Sequence, residues 1–226
     1  MANKNGIIAK GFLLSVFLFS SGTLPAASMD PLSGDEISAA REAVVQQEPV
    51  VRVARSRSPV EDEGNGEEVL LIERHISEKG SPDSSKRLSD VYTYNYQANQ
   101  LVRYVVNLDS NEVESITRTQ GDQLPLTEAE VQRATEIVFN DAEELGLLNQ
   151  QYQQRTGETL TDADQLEIKA FTFLAASLPG QLNEASKQCG IHRCAQLLLY
   201  TADRVVFEVS PIVDLSEKRV TQNIGF

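Results

Sequence analysis

The chain has 226 residues, 41% of them hydrophobic, with 20 Lys and Arg against 33 Asp and Glu and a formal net charge of −13. That length suits one large or two small domains, and so acidic a chain is repelled by phosphate backbones and anionic lipid headgroups, so no nucleic-acid partner is expected. Two cysteines and two histidines leave little material for a metal cluster or a histidine-based catalytic set.

The first predicted element is a leader. Lys4 and Lys10 precede the apolar run Gly11 to Phe19, and small residues Ala26, Ala27 and Ser28 follow. This is the layout of a secretory signal peptide over residues 1–28, cut after Ser28. The run is too short to span a bilayer comfortably and no second long apolar segment follows, so no membrane span is expected after cleavage. The expected location is periplasmic or secreted, and loss of the two lysines makes the mature chain more acidic still.

A helix opens at "PLSGDEI", residues 31–37. Ser33 and Glu36 have capping-box spacing, and Leu32 with Ile37 can close a hydrophobic staple over the first turn. Ile37, Ala40 and Val44 make its apolar stripe. Residues 50–58 read as an extra strand. The basic cluster there, Arg52, Arg55 and Arg57, is followed at once by "EDEGNGEE" (61–68), which offsets it. A strand is expected over 67–76, a surface loop over 78–86, and a hairpin over 90–106 turning near Ala98-Asn99. The segment 104–116 reads as strand, polar turn at Asp109-Ser110-Asn111, strand.

The same order then recurs. "PLTEAEV" (125–131) repeats the helix starter, with Thr127 and Glu130 as capping box and Leu126 with Val131 as staple. Val131, Ala134, Val138, Ala142 and Leu145 form one stripe, which Gly146 can end. A surface loop is expected over 149–165, a strand over 166–176, a hairpin over 195–209 turning at Ala202-Asp203, and a strand-turn-strand over 210–224. Aligning Asn107-Leu108 with Asp214-Leu215 also brings Val113 onto Val220. The offset of roughly 100 residues is that of a duplicated domain, not of a solenoid repeat. The boundaries are 29–121 and 122–226.

Pro31-Leu32 with Glu36-Ile37, and Val213-Asp214-Leu215 through Val220, resemble the small N-terminal domains of copper amine oxidases. Val106-Asn107-Leu108 through Val113 matches the same ending with Asn for Asp. The resemblance implies an α+β fold of two tandem cystatin-like units, each one helix packed on a four-stranded antiparallel sheet. In that family such domains flank a large catalytic domain and perform no chemistry. The oxidases form their quinone cofactor from the Tyr of an Asn-Tyr-Asp/Glu motif beside copper held by three His. Here the histidines are His75 and His192, and Asn95-Tyr96 is followed by Gln97. Amine oxidase activity, and any cofactor, are therefore not expected.

Two clusters remain as candidate sites. "CGIHRC" (189–194) places Cys189, His192 and Cys194 together. In an exported chain with two cysteines a Cys189–Cys194 disulfide is the expected state; a metal site would need a fourth ligand, and a redox role is the other alternative. Tyr92, Tyr94 and Tyr96 alternate, so they project from one face of a strand, and Tyr104 can join them from the next. Exposed, they form an aromatic binding surface; otherwise they cover the core-facing or inter-domain side of the sheet. The expected function is an exported, non-catalytic binding or assembly piece, with another envelope protein or a cognate oxidase as partner. The alternative is an enzyme with a cleft between the units. Protease inhibition, suggested by the cystatin-like fold, lacks the Gln-x-Val-x-Gly hairpin that goes with it.

Overall fold

The computed structural model describes residues 30–47 and 66–225. The signal peptide expected over 1–28, the strand expected over 50–58 and its arginine cluster lie outside them. The described residues form two antiparallel four-stranded sheets with helices before each. In the first half, α1 (Gly34–Gln47) precedes β1 (Glu67–Arg74), β2 (Leu88–Asn95), β3 (Gln100–Asn107) and β4 (Glu112–Thr119). In the second, α2 (Glu128–Asn140) and α3 (Ala142–Thr156) precede β5 (Glu167–Thr172), β6 (Cys194–Tyr200), β7 (Val209–Asp214) and β8 (Arg219–Gly225). Strand order follows chain order in both sheets.

Both helix starters work as capping boxes. Ser33 Oγ accepts from the Glu36 amide at 3.3 Å while Glu36 accepts from the Ser33 amide at 2.7 Å. Thr127 and Glu130 do the same at 3.2 and 2.8 Å. The last hairpins match atom for atom. Asn107 Oδ1 accepts from the amides of Asp109 and Ser110, and Asp214 Oδ1 from those of Ser216 and Glu217. Each of these side chains thus folds the turn that follows it. Val106 pairs with Val113 and Val213 with Val220, each beside a bulge one residue earlier. Asn111 and Lys218, equivalent in that alignment, both take positive φ (57° and 54°).

The second half departs from the expected single helix. α2 stops at Asn140, and Asp141 leaves helical geometry at φ −83°, ψ 115°. Its side chain accepts from the amides of Glu143 and Glu144 at 3.0 and 3.1 Å and starts α3. α3 continues through Gly146, buries Leu148 and Tyr152, and ends at Gly157, whose φ is 78°. So Gly146 is no terminator, and the first part of the loop expected over 149–165 is helix, up to Thr156. The pull of Leu148 and Tyr152, one helical turn apart, outweighs the cost of about 1 kcal/mol for an interior glycine.

The 195–209 hairpin is also looser than expected. The chain turns at Ala202-Asp203, but β7 begins only at Val209, and β6 pairs with it over three residues, Cys194 to Gln196. Pro211, the residue before the last paired position Ile212, has no N–H to extend the ladder. Ser210 Oγ donates to the Leu197 carbonyl instead, at 2.7 Å.

α1 packs Ala40, Ala43 and Val44 against Val69, Val91, Val102, Tyr104 and Val106 of the first sheet. A larger core joins α2, α3 and the second sheet and extends to Tyr94, Tyr96 and Leu101 of the first. No described helix is long and apolar enough to cross a membrane. Since Asp141 alone caps α3, Asp141→Ala should cost about 1 kcal/mol in urea denaturation, and Asp141→Asn much less. Equal losses would show that capping is not what the side chain supplies.

Candidate interaction site at the junction of the two units

Each unit carries one arginine immediately before or at the start of its second strand, and each arginine grips the helix starter. Arg87 donates from Nε and Nη2 to the two oxygens of Glu36 at 2.7 and 2.9 Å, and to the carbonyls of Asp30 and Pro31 at 2.6 and 2.9 Å. Arg193 donates from Nε and Nη2 to Glu130 at the same 2.7 and 2.9 Å, and to the carbonyls of Leu124 and Pro125 at 2.6 and 2.9 Å. A fifth bond, to Gln123 Oε1 at 3.1 Å, uses the last guanidinium proton of Arg193. The Pro-Leu prefix recurs because the carbonyls at and just before the proline are arginine acceptors. In both units the arginine's own carbonyl accepts from the leucine that directly follows the turn-forming Asn or Asp, Leu108 or Leu215. The latch thus joins helix start, second strand and last hairpin.

Glu130 and Arg193 are fully buried. Burial alone would push the Glu130 carboxyl up, but the Arg193 hydrogen bonds and charge hold it below the ordinary range. Glu36, less enclosed, is held down to about 2, chiefly by the Arg87 hydrogen bonds.

The second latch also receives the first unit. Tyr96 Oη donates to Glu130 Oε1 at 2.8 Å. Glu68, from β1, lies 3.1 Å from the same hydroxyl and takes an ion pair of 2.6 Å from Arg133 on α2. The Arg133 guanidinium sits over the Tyr96 ring, 5.1 Å from its centroid, and that of Arg193 lies 5.7 Å from the Tyr94 ring. Tyr94 Oη donates to the Ile191 carbonyl at 3.1 Å. Two carboxylates and two guanidinium groups are thereby balanced inside the junction, with two tyrosines as spacers. Burial, then the charges of Glu130 and Glu68, push the Tyr96 phenol far above its ordinary range, so it remains a donor.

The four tyrosines therefore do not form one exposed stripe. Tyr94 and Tyr96 are buried against the second unit. Tyr92 is half-buried beside Arg103, whose neighbours are Asp90 and His75. Tyr104 lies on the opposite face: it pairs with Val91, whereas Tyr92 pairs with Arg103, and cross-strand partners share a face. Its hydroxyl donates to buried Glu67 at 2.7 Å under α1. Only the strand register, which the alternation within one strand does not reveal, separates Tyr104 from the others.

Cys189 and Cys194 are joined, S–S 2.16 Å, and the ring they close holds His192 and Arg193. His192 Nδ1 faces Asp214 Oδ2 at 2.7 Å. The disulfide packs with Phe173 and Ile212 in a small separate core, and among the described residues no group of three His, Cys, Asp or Glu is placed to hold a metal. Beside the junction an open groove of about 460 Å³ runs between Gln123–Leu126 and Ala170–Leu174.

Arg193→Leu leaves Glu130 buried without its counter-charge and should cost about 3–5 kcal/mol in urea denaturation. Tyr96→Phe should cost about 1–2 kcal/mol; Arg193→Leu within 1 kcal/mol of wild type would contradict the latch. For Glu36, a folded pKa below the unfolded value stabilises fully above the unfolded value and is lost as pH falls through the folded one. Its contribution is complete above its ordinary 4.5 and gone near pH 2. Glu36→Gln should therefore lower the thermal midpoint at pH 7, and the gap should close across that window; a gap constant with pH would remove the ion pair from the account.

No protein-family model matches the sequence, and no curated protein sequence matches it. Solved structures do match. A copper-containing benzylamine oxidase from Hansenula polymorpha superposes with a TM-score of 0.54 at 11% identity, covering 89% of this chain and 30% of that chain. At that identity the likeness is one of fold, and this chain spans about a third of the length of the oxidase it matches.

Proposed function

We propose that the chain is an exported, non-catalytic protein whose two cystatin-like units form a binding or assembly piece for another protein of the cell envelope, a cognate oxidase among the candidates. One observation carries the reading: the ionisable groups brought together at the junction pair with each other. Glu130, Arg193, Tyr96, Glu68 and Arg133 bind helix to strand and unit to unit. The alternative of an enzyme needs a cleft between the units, and there Tyr94, Tyr96 and Leu101 pack into the second core. The fold likeness to a benzylamine oxidase over 30% of its length supports a module that accompanies chemistry performed elsewhere.

The test is site-specific photo-crosslinking in the cells that make the protein. Leu174 and Ile191 are exposed apolar side chains at the disulfide loop, 38% and 48% accessible. A photoreactive residue at either should give one dominant adduct with a different protein, in the exported fraction, and none from Ser110 in the β3–β4 turn. Purified chain mixed with benzylamine should release no peroxide. Adducts only with itself, or peroxide release, would overturn the reading.

A further inference from the structure

The second sheet carries an open edge whose geometry specifies its own partner. Among the described residues β5 pairs only with β6. The Phe173 amide donates to the Cys194 carbonyl at 3.0 Å. In an antiparallel ladder directly opposite residues alternate between bonded and non-bonded pairs. Carried along the observed register, in which Phe171, Lys169 and Glu167 oppose Gln196, Leu198 and Tyr200, this turns the odd-numbered backbone groups inward. Ile168 and Ala170 therefore turn their N–H and C=O outward, away from β6, as a template for another strand.

The side chains narrow the choice of strand. Ile168 and Ala170 pack toward the main core, while Glu167, Lys169 and Phe171 are exposed on the outer face, where Lys169 Nζ lies 5.8 Å from the Tyr200 ring centroid. The C-terminal half of β5 is flanked by the inter-unit linker, since Thr172 Oγ1 donates to the Leu124 carbonyl at 2.9 Å. Among the described residues no strand pairs with the outer edge of the Glu167–Ala170 half.

A second copy fits this half in one register. Antiparallel pairing of β5 with itself about a two-fold axis keeps both sets of helices on one side only if the axis passes through a residue position, because opposite residues share a face. Centring on Lys169 sets two ammonium groups against each other. Centring on Ala170 drives the pairing into the linker-flanked end. Centring on Ile168 lets its outward N–H and C=O bond reciprocally with those of the mate, and places each Glu167 opposite the other copy's Lys169. We propose that the chain dimerises through this pairing, forming a continuous eight-stranded sheet closed by two Glu167–Lys169 contacts. This goes beyond the binding role above, because it holds whether or not a second protein binds.

Sedimentation equilibrium of the full mature chain over a concentration series tests it. The expected result is a monomer–dimer equilibrium. Lys169→Glu and Glu167→Lys should each weaken it by about tenfold or more, since two attractive contacts become repulsive. The double variant E167K/K169E restores both contacts and should return to within about threefold of wild type. All four positions involved in the two contacts are on the surface, and circular dichroism checks that each variant keeps the fold. A monomer at every concentration overturns the proposal. So does a dimer indifferent to Lys169→Glu, or one that the double exchange fails to rescue.

Discussion

A carboxylate with no exposed surface, held by a guanidinium with none, is the constraint on which the molecule turns. Such a pair is tolerable only if every remaining donor is satisfied, because an unpaired buried charge costs several kcal/mol. Arg193 meets this with five acceptors, two of them the oxygens of Glu130 and two the carbonyls just before the Thr127 cap. Those acceptors bracket the helix start, three before it and Glu130 in its first turn, so the arginine fixes where α2 begins and how it sits on the strand that follows Arg193. The first unit repeats the device with Arg87 and Glu36, whose side chain keeps 20% exposure. The difference between the two is Tyr96, which closes over the second latch.

The two halves thus repeat one helix-on-sheet arrangement with different outer faces. Near Tyr94 and Tyr96 the outer face of the first sheet is closed by the second unit. Part of the outer face of the second sheet is covered by its own loop, where the disulfide, Phe173 and Ile212 pack with Leu178 and Leu182. The loop carries Arg193 within the disulfide ring, so the covalent bond also steadies the latch. The rest of that face, with Phe171 at 53% exposure, stays open.

Much of this was legible in the sequence, and the remainder was hidden for identifiable reasons. The capping boxes, the polar turn at Asp109-Ser110-Asn111 and its counterpart after Asp214, and the sheet strands β1 to β5 rest on local spacing, and local spacing can be read. The joining of Cys189 to Cys194 follows from composition. The latch was not found, because Arg87 and Arg193 reach Glu36 and Glu130 across 51 and 63 residues. A signal did exist: each arginine stands directly ahead of its unit's second strand, and about twenty residues before the Asn or Asp already aligned. The break at Asp141 was masked by a stripe that runs on through it. Tyr104 was misplaced because a register, not a periodicity, decides its face.

Two units bound by one buried network should open together. Native-state hydrogen exchange in increasing denaturant measures this most directly, through the slowest amides of β2 and β3 on one side and of β6 and α2 on the other. The account predicts that both sets merge into a single unfolding isotherm with one free energy. Two separate isotherms, with the first sheet exchanging at lower denaturant while α2 and β6 stay protected, would contradict it.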